Sequence, residues 1–281
     1  MIKIKQLKTS EIDFAHHLTE KENWGVMKEE LISLHSFSPK SYFIAQEIGS
    51  NELIGTISLT PYDTFSFIGN VIVLKEYRGQ GIGTQLLKHA IGYSKNLGIN
   101  TIMLDGIENA IPLYERVGFK KYCKSFRLNG KIQTHNNKIS PFVRLMTFDD
   151  LGKVFQLDLK HFKADRSALL MDLFTTFPEL CKVIERNGVI TSFSMGLSRS
   201  TNIKLGPWIV DDIEKNPQIL IESYQNENLE IHMGILEIHM KALEIVKKFQ
   251  LKIKFYSIRM IFGEIPSISS GLYAINGPDR G

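Results

Sequence analysis

The residues best suited to chemistry run from Val71 to Lys88, Val-Ile-Val-Leu-Lys-Glu-Tyr-Arg-Gly-Gln-Gly-Ile-Gly-Thr-Gln-Leu-Leu-Lys. A β-branched run ends at Leu74 and a short charged turn follows it. Gly79, Gly81 and Gly83 then alternate with Gln80 and Ile82, and an amphipathic helix begins at once. Glycine has no Cβ, so such a loop can aim several backbone N–H groups at one point. A helix N-terminus adds unpaired amides and a dipole that favours negative charge. Arg78 contributes a cation, and the segment reads as a cradle for pyrophosphate.

Other glycine loops fit less well. A Walker loop needs lysine directly after its last glycine, and Gly83 is followed by Thr84. A dinucleotide fingerprint follows its strand directly and keeps a third glycine, whereas Thr84 stands at that place and four residues separate Leu74 from Gly79. A purely structural glycine turn is not excluded by the loop alone.

A second block narrows the choice. Arg78-Gly-Gln-Gly-Ile-Gly83 resembles the Arg/Gln-x-x-Gly-x-Gly/Ala signature of the GNAT N-acetyltransferases. About thirty residues on, Leu113-Tyr-Glu-Arg-Val-Gly-Phe119 is similar to the Leu-Tyr-x-x-x-Gly-Phe block of that superfamily. The resemblance covers residues 1 to about 132. It departs where the family usually has asparagine seven residues before the tyrosine, because Ile107 stands there and Asn109 is displaced by two.

The resemblance implies acetyl-coenzyme A as co-substrate, with no metal. Backbone groups of Val71, Ile72 and Val73 would pair with the pantetheine arm, and Arg78, Gly79, Gln80, Gly81, Ile82, Gly83 and Thr84 would hold the pyrophosphate. Tyr114 is the expected general acid. A phenol ordinarily titrates at ~10, above a thiol at ~8.5, so it can donate to a departing sulfur. The rival reading makes Tyr114 a packing residue only. Trp24 and Phe65 are the expected acceptor-side aromatics, with a core role for Trp24 as the alternative. The fourth strand carries Asn70 where family members often place a carboxylate, so no general base stands out. Asp63, Asp105 and Glu52 are candidates through a water.

Elements must position these groups. Alternating and helical periodicities predict strands at 2–7, 42–47, 53–61, 65–74, 101–105 and 121–128, and helices at 11–21, 26–34, 81–97 and 110–117. Ile82, Leu86, Leu87, Ala90 and Ile91 form one apolar stripe on the long helix, and Gly98 reads as its C-cap. With 281 residues, two domains are the prior. We expect a GNAT-like cofactor-binding domain at 1–132, a polar linker at 133–140 and a second domain at 141–281. Val143 to Leu151 echoes Ile4 to Ile12, and Ser257-Ile-Arg259 echoes Ser125-Phe-Arg127, which points to internal duplication. Helices at 152–162 and 166–174 and strands at 182–185, 190–197 and 203–210 follow. The second copy has Gly206-Pro-Trp-Ile-Val-Asp-Asp212 where a glycine loop would stand, so one active site is expected. The fold class is α/β, an α+β mixed sheet: two tandem GNAT-like domains, each a largely antiparallel twisted sheet with helices on both faces. The second is degenerate and serves an acceptor-site or structural role.

Bulk properties set limits. A net charge of +4 suits an anionic cofactor and gives no basic stripe for nucleic acid. No apolar run reaches the ~18 residues of a membrane span, nothing near Met1 resembles a targeting signal, and two cysteines fit a reduced compartment, so a cytoplasmic monomer or homodimer is expected. Glu230-Ile-His232 and Glu237-Ile-His239 lie seven residues apart, but one reads as strand and the other as a helix start, which argues against a shared metal. The expected reaction is acetyl transfer to a primary amine of a small molecule or peptide. The alternative is a non-catalytic acetyl-coenzyme A sensor or scaffold.

Overall fold

The computed structural model describes residues 1–133, 139–225 and 229–281. Residues 134–138 of the expected linker lie outside them. The chain forms two compact units. Unit 1 is Met1–Tyr122 with Ile258–Pro266 and Pro278–Arg280; unit 2 is Cys123–Ser257 with Ser267–Gly277 and Gly281. A division by chain order therefore misses two late segments that belong to the first unit.

Unit 1 runs β1 (Ile2–Gln6), α1 (Ile12–Lys21), α2 (Lys28–Phe37), β2 (Tyr42–Glu47), β3 (Leu53–Pro61), β4 (Ser66–Val73), α3 (Ile82–Asn96), β5 (Ile102–Gly106) and α4 (Ile111–Arg116). Strands β1 to β4 pair antiparallel in sequence order, and β4 pairs with β5 in parallel. The free edge of β5 takes residues 258–262 antiparallel, with Arg259 opposite Asp105. The α3 stripe buries Ile82, Leu86, Leu87 and Ala90 against Ile57, Leu59, Ile68 and Leu104. Each fully buried aliphatic side chain contributes about 1.5–3 kcal/mol. On the opposite face Leu18 of α1 packs on Ile72 and Leu74.

Unit 2 repeats this plan. It contains most of β6 (Lys120–Gly130), then β7 (Val143–Leu145), α5 (Leu151–Phe162), α6 (Ser167–Thr176), β8 (Lys182–Arg186), β9 (Val189–Ser198) and β10 (Asn202–Val210). It continues with α7 (Gln218–Glu222), β11 (Glu230–Leu236), α8 (Met240–Lys248), the first half of β12 (Lys252–Phe262) and β13 (Leu272–Ala274). Strands β7 to β10 pair antiparallel, β10 and β11 pair in parallel, and β6 closes the edge of β11 antiparallel.

The echo between Ile4–Ile12 and Val143–Leu151 has a physical basis. Lys5 Nζ donates to Glu11 at 2.6 Å, and the Glu11 carboxylate accepts the Lys8 amide at 2.9 Å. In the second copy Arg144 grips Asp150 at 2.6 and 2.8 Å, and Asp150 accepts the Thr147 amide at 2.8 Å. Both carboxylates satisfy otherwise unpaired amides at the entry to a helix. Among the described residues no helix is long and apolar enough to cross a membrane.

Candidate active site

The site is built on a break in strand pairing. Ser58 lies opposite Gly69 but Thr56 lies opposite Ile72, so three steps of β4 face two of β3. That bulge places Asn70 at φ +51°, a left-handed conformation asparagine tolerates better than most residues. The Asn70 side chain donates to Ser58 Oγ at 3.0 Å, and its carbonyl accepts Thr56 Oγ1 at 3.0 Å. Pairing of β4 with β5 covers Ser66 to Ile68, before the bulge.

Beyond the bulge the alternation of the ladder decides which amides face outward. Leu74 N–H donates to the Ile54 carbonyl at 2.9 Å, so Leu74 and Ile72 face β3. Val71 and Val73 turn their backbone groups to the other edge, toward the splay from β5. This corrects the expectation for Ile72, whose amide is taken up by sheet pairing.

The glycine loop follows. Gly79 and Gly81 sit at φ +80° and +78°, and a Cβ on either would meet nothing within 4 Å. These two are glycines for conformation, not for space. Gly83 differs: its Cβ would lie 3.2 Å from Leu113 Cδ2, so it lets α3 approach α4. The first α3 bond runs from Gln85 N–H to the Gly81 carbonyl at 3.1 Å. The amides of Ile82, Gly83 and Thr84 precede it and find no acceptor within the helix. Arg78 Nε donates to the Val73 carbonyl at 2.8 Å and its guanidinium pairs with Glu22. Gln80 Nε2 reaches the Glu76 carbonyl at 3.4 Å.

Tyr114 of α4 is buried. Its ring packs against Gly106 of β5, where a Cβ would lie 2.8 Å from Cε2. Burial pushes its phenol up to about 12, so the hydroxyl keeps its proton. Tyr114 sits on the α3 face of the sheet, in the cluster with Ile68 and Leu104. The expected aromatics separate: Trp24 is 41% exposed in the α1–α2 connection, while Phe65 is buried with Tyr62 and Phe67. The connection borders a hollow of about 650 Å³ lined by His16, Glu20, Asn23, Val26, Lys28 and Glu29, among others.

Of the carboxylates raised as bases, Glu52 accepts the Tyr77 hydroxyl at 2.8 Å and Asp105 is buried in an ion pair with Arg259. Asp279 and Arg280 were not singled out from the sequence, and they cover β3 and β4 beside the bulge. Thr60 Oγ1 donates to the Asp279 carbonyl and the Tyr62 hydroxyl to the Arg280 carbonyl, each at 2.8 Å. No local pattern signals so distant a contact. Among the described residues no group of three or more His, Cys, Asp or Glu side chains is arranged to hold a metal ion.

A bulged strand, a parallel neighbour splaying from it and a glycine-opened helix define an acetyltransferase-type α/β unit. The profile of the Acetyltransferase (GNAT) family matches residues 10–119, and that of an Acetyltransferase (GNAT) domain matches residues 154–274. The chain belongs to the GNAT acetyltransferase family, as a tandem member. It is 28% identical over 186 residues to the uncharacterized N-acetyltransferase YitH of Bacillus subtilis, 63% of either chain. A 119-residue stretch is 29% identical to YobR of the same organism, 36% of this chain and 47% of the relative. The chain thus matches less than two thirds of these relatives' length. A Pyrococcus horikoshii structure bearing an acetyltransferase name superposes with TM-score 0.81 at 19% identity, covering 100% of this chain and 96% of the other. A tandem GNAT protein from the clavulanic acid biosynthesis pathway gives 0.67 at 10% identity, covering 95% and 100%. At such identities these two likenesses establish fold alone.

Proposed function

We propose that unit 1 is an acetyl-coenzyme A-dependent N-acetyltransferase acting on a primary amine of a small molecule or peptide, and that unit 2 carries no second active site. The carrying observation is that three unbonded amides open α3 beside two outward-facing amides on β4. The residues fit the cofactor: Gly79 and Gly81 leave open space where a Cβ would project, and a helix N-terminus favours a pyrophosphate. Val71 and Val73 would hold the pantetheine arm, and the loop from Gly79 to Thr84 the phosphates. When bound, acetyl-coenzyme A supplies an activated acyl group and a thiol leaving group.

The chain's own groups do the rest. Outward amides on β4 present fixed donors that need no reorganisation. Burial keeps the Tyr114 phenol protonated at any physiological pH, which supports reading it as the general acid toward the leaving thiolate. The test is release of free thiol from acetyl-coenzyme A across a panel of amines, alongside calorimetric binding of coenzyme A. Turnover with at least one amine supports the reading. Binding without turnover for every amine favours the sensor alternative, which the amide at Asn70 in place of a strand carboxylate recommends. Absence of binding removes both.

A further inference from the structure

We propose that Asp279 is the general base of unit 1, supplying the carboxylate that β4 lacks; the assignment rests on the acetyl-transfer reading above. The carrying observation is a substitution in space. A Cβ built on Gly69 would fall 2.3 Å from the Cβ of Asp279, so the Asp279 side chain takes up the space that a side chain at 69 would need. Gly69 directly precedes Asn70 of the bulge. Asp279 thus brings an acid side chain against the strand position that precedes Asn70, from 210 positions along the chain.

The surroundings fix this carboxylate instead of leaving it on a mobile tail. The Asp279 backbone is held by Thr60, and that of Arg280 by Tyr62. Arg280 Nε and its terminal nitrogen bond the two Asp279 carboxylate oxygens at 3.2 and 3.1 Å, which orients the group. The Asp279 side chain is largely buried, with 12% of its surface exposed. Gly69 shares a face with Ile72, the face that α1 covers, whereas Tyr114 lies on the α3 face. Base and acid thus flank the β4–β5 splay from opposite sides, as a proton removed from one reactant and delivered to another requires.

The step balances without a further reagent. An acceptor R–NH3+ gives one proton to the Asp279 carboxylate; an N–H bond breaks, an O–H bond forms, and the electron pair stays on nitrogen. The products are R–NH2, now nucleophilic, and a neutral Asp279 carboxyl.

The experiment uses the full chain with Asp279→Asn, Asp279→Glu, Asp279→Gly and the double variant Asp279→Gly/Gly69→Asp. In the double variant the nearest atoms to the new Cβ are the residue 279 Cα at 3.1 Å and Ser58 Oγ at 3.2 Å, which need shift only by tenths of an ångström. Expected are a kcat loss of about 100-fold for Asp279→Asn at pH 7, shrinking as pH approaches the amine's own pKa, and coenzyme A affinity within about twofold of the parent. Asp279→Glu should retain more activity than Asp279→Asn, and the double variant should recover at least about tenfold over Asp279→Gly. A kcat for Asp279→Asn within threefold of the parent overturns the assignment. So does a loss equal at all pH values with no recovery in the double variant, because that marks a merely structural segment. A parent protein that binds coenzyme A but acetylates no amine overturns the acetyl-transfer reading and this assignment together.

Discussion

Units 1 and 2 share one backbone device and use it differently. In each, an antiparallel pair is bulged and the bulged strand joins a parallel neighbour: Gly69 to Ile72 in β4, Leu205 to Trp208 in β10. The corresponding bulge residues are Asn70-Val71 in one and Gly206-Pro207 in the other. In unit 2 the space beside β10 belongs to the chain itself. Strand β13 pairs antiparallel with β10, Trp208 opposite Ala274, and Ile275 bridges Gly234 of β11. Where Tyr114 packs on Gly106, Ile275 packs on Gly234, its Cγ1 2.7 Å from the place of a Cβ. The helix that follows differs too: α3 has 15 residues behind a glycine loop, while α7 has five behind Asp211 and Asp212. A bulged, splayed strand pair is therefore a general slot. In unit 2 the chain fills it; in unit 1 we propose that the cofactor does.

The largest expected effect breaks the cradle. Gly81→Asp places a non-glycine at φ +78° and a negative charge among the amides proposed to bind phosphate. About 1 kcal/mol of strain and two weakened charged hydrogen bonds at about 1.5 kcal/mol each amount to on the order of 1,000-fold in Kd. Calorimetry on the parent should find one coenzyme A per chain. Two sites would end the distinction between the units.

Next in size is Gly206→Ala in unit 2, whose Cβ would meet the Ile275 carbonyl at 2.1 Å. We expect a loss of about 3 kcal/mol and a fall in Tm of roughly 6–12 °C. Gly79→Ala, with open space around it, should cost about 1–2 kcal/mol from φ alone. Equal costs would show that β13 does not pack the slot tightly.

The α3 stripe and the loop were legible in the sequence because both are local: helical spacing and glycine alternation act over a few residues. The element order was legible for the same reason as far as α4 in unit 1 and β10 in unit 2, but the strand expected to close unit 1, at 121–128, lies mostly in unit 2. The bulge was not, since Asn70 within an apolar strand carries only a weak preference for left-handed backbone. Ile72 was misassigned because alternation shifts at that bulge. Gly83 looked like its neighbours, yet its reason lies in Leu113. Least legible were residues 258–266 and 278–280, because no periodicity reports which sheet a distant segment joins. The repeated Ser-x-Arg illustrates this. Ile258 faces Gly106 while Arg127 faces Gly234, so similar strands close the two sheets one residue out of register.

Tyr114→Phe should lower kcat by about 100-fold while leaving coenzyme A affinity near the parent's. The pH dependence sharpens the contrast with the opposite face. With its phenol pushed up to about 12 by burial, Tyr114 keeps its proton across pH 6–10, so as the proposed donor it would fail only above that range. The ratio of parent to Tyr114→Phe rates should therefore stay flat from pH 6 to 10, whereas the ratio to Asp279→Asn falls. A Tyr114→Phe ratio that also declined with pH would place the titrating group on the wrong face.

The smallest effect compares the helix entries that the two units share. Side-chain bonds from Lys5 and the Lys8 amide hold Glu11 below its ordinary range despite burial, which acts the other way. Bidentate Arg144 holds Asp150 much further below, and Arg144 also binds Glu185 at 2.7 Å. A carboxylate whose folded pKa is depressed stabilises above its unfolded pKa and loses that contribution as pH falls through the folded value. Glu11→Gln should cost about 1 kcal/mol and Asp150→Asn about 2 kcal/mol at pH 7, as lost capping and charge-assisted bonds. Urea midpoints measured from pH 7 toward pH 2 should fall less steeply in both variants, with the change extending to lower pH for Asp150→Asn. If the two variants lose equal amounts over the same pH interval, arginine's two-point grip adds nothing to lysine's single contact. Unit 2 would then owe its persistence to the strand seated in its slot, not to a stronger entry.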